Sequence, residues 1–193
     1  MNIWVSTRNA HKAEEIAHIL GQTCRIRTLL DLPDFPDIDE NGDSYRANAE
    51  LKARALWEKV QEPVFADDSG LEVDALNGRP GIHSARFSGL DTNHPRNIAK
   101  LLAELGELPV DKRSARFRCV IVYIDQHGFA HEFVGTVEGY IGFACLGDGG
   151  FGYDPVFMLP ERGCSVAQLP AAEKNTISHR ARAVEQLKAF LKL

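Results

Sequence analysis

The sequence predicts a mixed α/β protein, because strand-length apolar runs alternate with helix-length amphipathic stretches along its 193 residues. Two stretches carry most of that weight. Ala115 to Ile124 alternates cleanly, with Ala115, Phe117, Cys119, Ile121 and Tyr123 on one side of a strand. Asn93 to Leu105 instead repeats at helical spacing, with Ile98, Leu101, Leu102 and Leu105 as its apolar stripe. A chain of this length supports one well-filled core, with room for two lobes inside a single domain spanning 1–193.

Ile3-Trp4-Val5 reads as a buried first strand, and Ser6 to Asn9 as a polar turn into a helix carrying Ile16, Ile19 and Leu20. Asn9 suits the N-cap. Lys12 falls in or near the first turn, where a cation opposes the helix dipole and calls for an anion nearby. The turn is therefore either a phosphate cradle or an ordinary capped helix with a surface lysine; without glycines it is no Walker loop. Residues 31–43 form an acidic, proline-broken loop in which Glu40 lies closest to the next helix and is the carboxylate best placed to turn inward toward a metal. That helix runs from about Ser44 to Glu58, with Tyr45, Ala49 and Leu56 on one face and Asn48 and Lys52 on another.

Val64-Phe65-Ala66 then runs into Asp67-Asp68-Ser69-Gly70. It reads as a short buried strand that delivers two acids to a cleft before the glycine turns the chain, or as a polar turn alone. Adjacent buried carboxylates need a cation, and a hard one such as Mg²⁺ suits oxygen donors. Leu71 to Leu76 alternates, and Asn77 to Gly81 is a turn signal. Gln126-His127-Gly128 turns the strong strand into a partner, about Ala130 to Glu138, with His127 and His131 as surface residues that have no acidic or cysteine partner at ligand spacing. Four glycines surround Phe151 and Tyr153 between Gly147 and Pro155, as expected where backbone approaches a flat ligand and one of the two rings stacks on it. Asp154 then either accepts from that ligand or fixes the loop. Val156 to Met158 returns to strand, and Glu173 to Arg180 opens a terminal helix with Ala181, Val184, Leu187 and Leu191 inward.

Composition narrows the partners. Twenty-two basic residues against 27 acidic ones argue against a broad surface for a nucleic-acid polymer. The four cysteines are scattered without a Cys-x-x-Cys pair and read as reduced core residues of a cytoplasmic protein. The chain start lacks the features of a signal peptide, and the apolar run from Cys119 to Ile124 is too short to span a membrane.

Five ordered motifs span nearly the whole chain. They are Thr7-x-Asn9-x-x-Lys12, then Glu40 with Asn48-Ala49-x-x-Lys52-Ala53, then Asp67-Asp68-Ser69-Gly70 with Pro80-Gly81-Ile82-x-Ser84-Ala85-Arg86. Gly149-Gly150-Phe151-Gly152-Tyr153-Asp154-Pro155 and Glu173-Lys174-x-x-Ile177-Ser178-His179-Arg180 complete the set. In this order they resemble the inosine triphosphate pyrophosphatase family, which acts on non-canonical purine nucleoside triphosphates. The resemblance implies an extended central sheet with flanking helices, two lobes around an active-site cleft, and a homodimer. It implies Mg²⁺-dependent hydrolysis of ITP, dITP and XTP to the monophosphate and pyrophosphate, cleansing the nucleotide pool.

Position by position, the resemblance makes Asp68 the general base and Glu40 with Asp68 the metal ligands. Thr7, Asn9 and Lys12 would cradle the triphosphate, with Lys52 and Ser69 beside it. Phe151, Gly152, Tyr153, Asp154, Lys174, His179 and Arg180 would hold the nucleoside. Arginine offers only donors, so Arg180 suits the 6-oxo group of hypoxanthine and has no acceptor for adenine's amino group. Arg8 and His11 stand where many relatives carry small residues. The related family associated with septum-formation inhibition begins with Ser-x-Ser-x-x-Arg, which this chain lacks. A non-catalytic nucleotide sensor has little need of the carboxylates at Glu40, Asp67 and Asp68.

Overall fold

Why the strands and helices fall where they do is largely a matter of caps. The computed structural model of the protein describes residues 2–21, 24–89 and 91–193. Strand β1 (Asn2–Val5) leads into helix α1 (Ala10–Leu20), whose N-cap Asn9 accepts from the Lys12 backbone N–H. The chain returns as β2 (Arg25–Thr28), parallel to β1. Helix α2 (Tyr45–Val60) starts at Ser44, whose hydroxyl accepts from Ala47 N–H, and ends at Gln61 in the left-handed region. Strand β3 (Val64–Val73) and the short β4 (Pro80–Gly81) follow, then helix α3 (His94–Leu105) capped by Asn93. The hairpin β5 (Ser114–Ile124) and β6 (Ala130–Ile141) precedes β7 (Phe157–Leu159) and β8 (Cys164–Ser165). Helices α4 (Ala171–Ile177) and α5 (His179–Leu191) close the chain. Eight strands form one open, mixed sheet in the order β2-β1-β3-β5-β6-β7-β8, with β4 paired to β3.

The chain divides into two compact units, each with its own core. The first comprises residues 1–68, 119–135 and 178–193. Its strands are covered on both faces. Ile3, Val5, Phe65, Cys119 and Ile121 pack with Ile16 and Leu20 of α1 and Val184 and Leu187 of α5. Trp4, Val64, Ala66, Val122 and Ile124 pack with Ala49, Ala53 and Leu56 of α2. Burying one such large aliphatic side chain contributes about 1.5–3 kcal/mol, so these two layers hold the strands on both sides.

The second unit comprises residues 69–118 and 136–177. Its core joins Leu71, Val73, Ile98, Leu101, Leu105, Ala115 and Phe117 to Tyr153, Val156 and Phe157. Here β5 keeps one polar face, where Arg116 and Arg118 reach Glu72 and Arg116 also pairs with Asp74. One strand thus reads as alternating in its first half and as buried on both faces in its second.

Four local expectations change, the simplest being Cys145, which is exposed and not a core residue. The turn expected at Gly70 is absent, and β3 runs straight through Asp67, Asp68, Ser69 and Gly70. The ladder continues because β4 pairs with Leu71 and Glu72, and the Ser84 hydroxyl accepts from Leu71 N–H at 2.8 Å. The terminal helix is two helices, broken at Ser178, whose extended backbone and hydroxyl cap α5 by accepting from Ala181 N–H. His131 has an acidic partner after all, its Nε2 lying 3.2 Å from Asp125 Oδ2.

Candidate active site

Side chains on successive strand residues point to opposite faces, so Asp67 and Asp68 cannot share one position. Asp67 has the parity of Phe65 and faces α1 and α5; Asp68 has the parity of Val64 and Ala66 and faces α2. Each acid therefore meets its own cation. Asp67 Oδ2 lies 2.8 Å from Lys12 Nζ and 3.5 Å from Arg180 Nε. Arg180 in turn pairs through Nη1 with Glu15 of α1. The anion that the first-turn lysine calls for is thus the protein's own carboxylate.

On the other face, Asp68 Oδ2 accepts from Asn48 Nδ2 at 3.1 Å, and Asp68 Oδ1 lies 3.8 Å from Lys52 Nζ. Glu40 Oε1 lies 3.2 Å from the same ammonium. Asn48 also ties in the acidic loop, its Oδ1 accepting from Gly42 N–H at 2.8 Å. One buried amide thereby sets both the acid on β3 and the loop carrying Glu40. Asn48 and Lys52 are one helical turn apart, which is why both reach the same carboxylate.

The environments push the two neighbouring acids apart. Burial raises the Asp68 pKa above the usual carboxylate range; Lys52 opposes the shift, while the charge on Glu40 adds to it. Burial acts on Asp67 the same way, yet Lys12, Arg180 and Lys52 together hold that carboxyl well below the ordinary range. Asp67 is a fixed anion, and Asp68 is the one suited to taking a proton.

Around them, the turn before α1 is closed by Thr7, whose hydroxyl accepts from Asn9 N–H at 3.1 Å. Arg8 leaves that turn and bonds the Phe35 carbonyl, with Nε 3.2 Å from Asp37 of the acidic loop, so its bulk is taken up by a surface tether. His179 is buried at the start of α5. Helix α5 approaches β6 closely at Gly135, where any Cβ would collide with the His179 carbonyl. Gly135 therefore helps place Arg180. A glycine inside a strand pattern is a sequence signal of such a close approach. Glu15 gave no signal at all, since it resembles any helix-surface acid.

The second unit holds the remaining candidates. Ser69 is half-buried on β3. Asp154 Oδ2 accepts from Phe151 N–H and from Lys174 Nζ, each at 2.8 Å. The Lys174 ammonium also lies 4.5 Å from the Phe151 ring centroid. Tyr153 is buried, and its hydroxyl donates to the Ser84 carbonyl at 2.8 Å. Of the two rings weighed for stacking, Tyr153 is committed to the core and Phe151 is the more accessible. Asp154 fixes the loop, and Gly152 adopts φ +65 with open space at its Cβ position.

Gly150 has φ +71, and a Cβ there would run into the Asp154 carboxylate. Gly150→Ala is expected to destabilise the protein by about 1–3 kcal/mol in denaturant unfolding, from backbone strain and the displaced carboxylate together. An unchanged midpoint and slope would mean that the loop does not depend on this conformation.

A buried strand acid, flanking lysines and a capped helix start are groups that a phosphorylated ligand can use. The sequence comparison narrows this: residues 3–190 match the model of the Ham1 family, and the chain belongs to that family. A dITP/XTP pyrophosphatase of Geobacillus kaustophilus is 50% identical over 186 residues, covering 96% of this chain and 91% of that protein. The Staphylococcus aureus Ham1 protein structure superposes with a TM-score of 0.89 at 39% identity, covering 100% of this chain and 98% of that one. A Coxiella burnetii HAM1 structure gives 0.90 at 35% identity with the same coverage. Among the described residues, no helix is long and apolar enough to cross a membrane.

Proposed function

We propose that this chain hydrolyses non-canonical purine nucleoside triphosphates, dITP, XTP and ITP, to the monophosphate and pyrophosphate with Mg²⁺. The observation that carries the reading is Asp68, a buried strand acid with a raised pKa, bracketed by Asn48, Lys52 and Glu40. The names of the family relatives support the dITP and XTP specificity.

The donor set fits Mg²⁺. Glu40 and Asp68 offer hard oxygens on either side of the Lys52 ammonium, so this position already favours a cation between carboxylates. Among the described residues no cluster of three or more His, Cys, Asp or Glu side chains forms a closed metal cage. Two carboxylates, with water and phosphate oxygens for the rest, suit an ion held jointly with its substrate. Bound there, Mg²⁺ would neutralise charge on the phosphates and strengthen the pull on the leaving group.

The chain's own residues do the rest. Asp68 orients a water molecule toward the α-phosphorus and takes its proton as the oxygen–phosphorus bond forms. The α–β anhydride bond breaks, and pyrophosphate leaves against the cation Lys12 and the turn built by Thr7 and Asn9. Lys52 balances charge on the α-phosphate side, and Ser69 follows directly on β3. By the family resemblance Phe151, Gly152 and Lys174 are assigned to the nucleoside, with Phe151 offering the stacking face and Asp154 holding the loop by accepting from the Phe151 backbone N–H. Homodimerisation enters from the family resemblance, and a cytoplasmic setting from the scattered cysteines.

Phosphorus NMR of the dITP reaction in ¹⁸O-water, with no added pyrophosphatase, tests the bond that breaks. The monophosphate is expected to carry the label and pyrophosphate to appear as the primary second product. Diphosphate and orthophosphate as primary products would mean that Lys12 and its turn hold the wrong phosphates.

A further inference from the structure

Asp67 has no part in the reaction just described, yet it is among the most buried acids of the first unit. We propose that Asp67 is a positioning residue, whose carboxylate holds the Lys12 ammonium in place for the leaving phosphates and acts neither as base nor as metal ligand. The proposal rests on the assignment of Lys12 to those phosphates.

Three observations point the same way. The strand pleat turns Asp67 toward α1 and α5, away from the face where Glu40, Asn48 and Lys52 gather around Asp68. Its Oδ2 is shared by Lys12 at 2.8 Å and Arg180 at 3.5 Å, and its side chain is 1% exposed, so the carboxylate is enclosed by cations. Glu15 completes the group by pairing with Arg180, which leaves two acids matched to two bases. Lysine has a long flexible stem and presents a point charge, so without a partner its ammonium samples many positions. A lysine already held beside the phosphate turn needs no ordering when the nucleotide arrives. Arg180 and Glu15 keep the holding carboxylate itself from moving.

The test is a double-mutant cycle with a readout besides turnover. Asp67→Asn is expected to lower kcat for dITP about 10-fold while KM changes less than about 3-fold. In a Lys12→Met background the same change is expected to lower kcat by less than about 2-fold, since the residue it positions is gone. The Mg²⁺ concentration for half-maximal rate should be unmoved. In the wild-type protein the Lys12 ammonium should give a slowly exchanging ¹⁵Nζ resonance, assigned by its loss in Lys12→Met. That resonance should shift on adding inorganic tripolyphosphate and broaden in Asp67→Asn. Full multiplication of the single effects in the double variant, or a large shift in Mg²⁺ demand, would make Asp67 an independent catalytic or metal-binding group. A wild-type Lys12 ammonium exchanging as fast as exposed lysines would overturn the proposal even if Asp67→Asn failed to fold. Failure of the wild-type protein to hydrolyse dITP would strike the proposed function instead, and the tripolyphosphate titration would still report on the pair.

Discussion

Asp68→Asn is expected to yield a folded protein that binds dITP and turns it over at about one-hundredth of the wild-type rate or less. The substitution keeps shape and leaves an oxygen that can accept from Asn48, so the link from β3 through α2 to Gly42 survives. What disappears is the carboxylate proposed to take the proton, which is also half of the carboxylate pair around the Lys52 position. General-base removal alone costs about 10²–10⁴-fold in rate, and the loss of one metal-binding oxygen acts in the same direction. Steady-state kinetics across a Mg²⁺ series, with nucleotide binding measured by calorimetry, separates the effects. Near-normal turnover at saturating Mg²⁺ would remove Asp68 from the chemistry.

Arg180→Ala is expected to destabilise the protein by about 3–5 kcal/mol, because it strands buried Asp67 and Glu15 without their shared cation. For a chain of this size that lowers Tm by roughly 10 °C. Residual activity should fall in parallel on dITP and ATP, since the loss acts through the Asp67 group and the seating of α5. This differs from the loss confined to 6-oxo purines that its chemistry alone suggests, and the reason is geometric. The guanidinium is 1% exposed and engaged with two carboxylates of its own unit. Thermal unfolding and kcat/KM on both nucleotides decide between the two roles. Unchanged stability with a loss on dITP alone would return Arg180 to the base.

Much of the fold was legible because its signals are local. Asn9 caps the helix expected to follow it, and the helices expected to begin near Ser44 and Asn93 are capped by those two residues. The break at Ser178 is not legible in the sequence, because Glu173 to Leu191 reads as one continuous helical pattern. Serine inside such a pattern is read as an ordinary helix residue, yet its hydroxyl can compete with the backbone ladder and cap a new helix instead, as Ser178 does. Ile177 packs against the core of the second unit, while Ala181 and Val184 belong to that of the first.

The sequence by itself determined which residue types were available: an acid pair after an apolar run, lysines near two helix starts, and a glycine-rich aromatic loop. The tertiary structure decided who partners whom. Asp67 and Asp68 are chain neighbours, yet the pleat sends one to Lys12 and Arg180 and the other to Asn48 and Lys52. Glu15 meets Arg180 across 165 residues, a pairing that no local pattern encodes. A charged side chain chooses its counter-ion by distance and burial, and those quantities exist only once the strands and helices have packed.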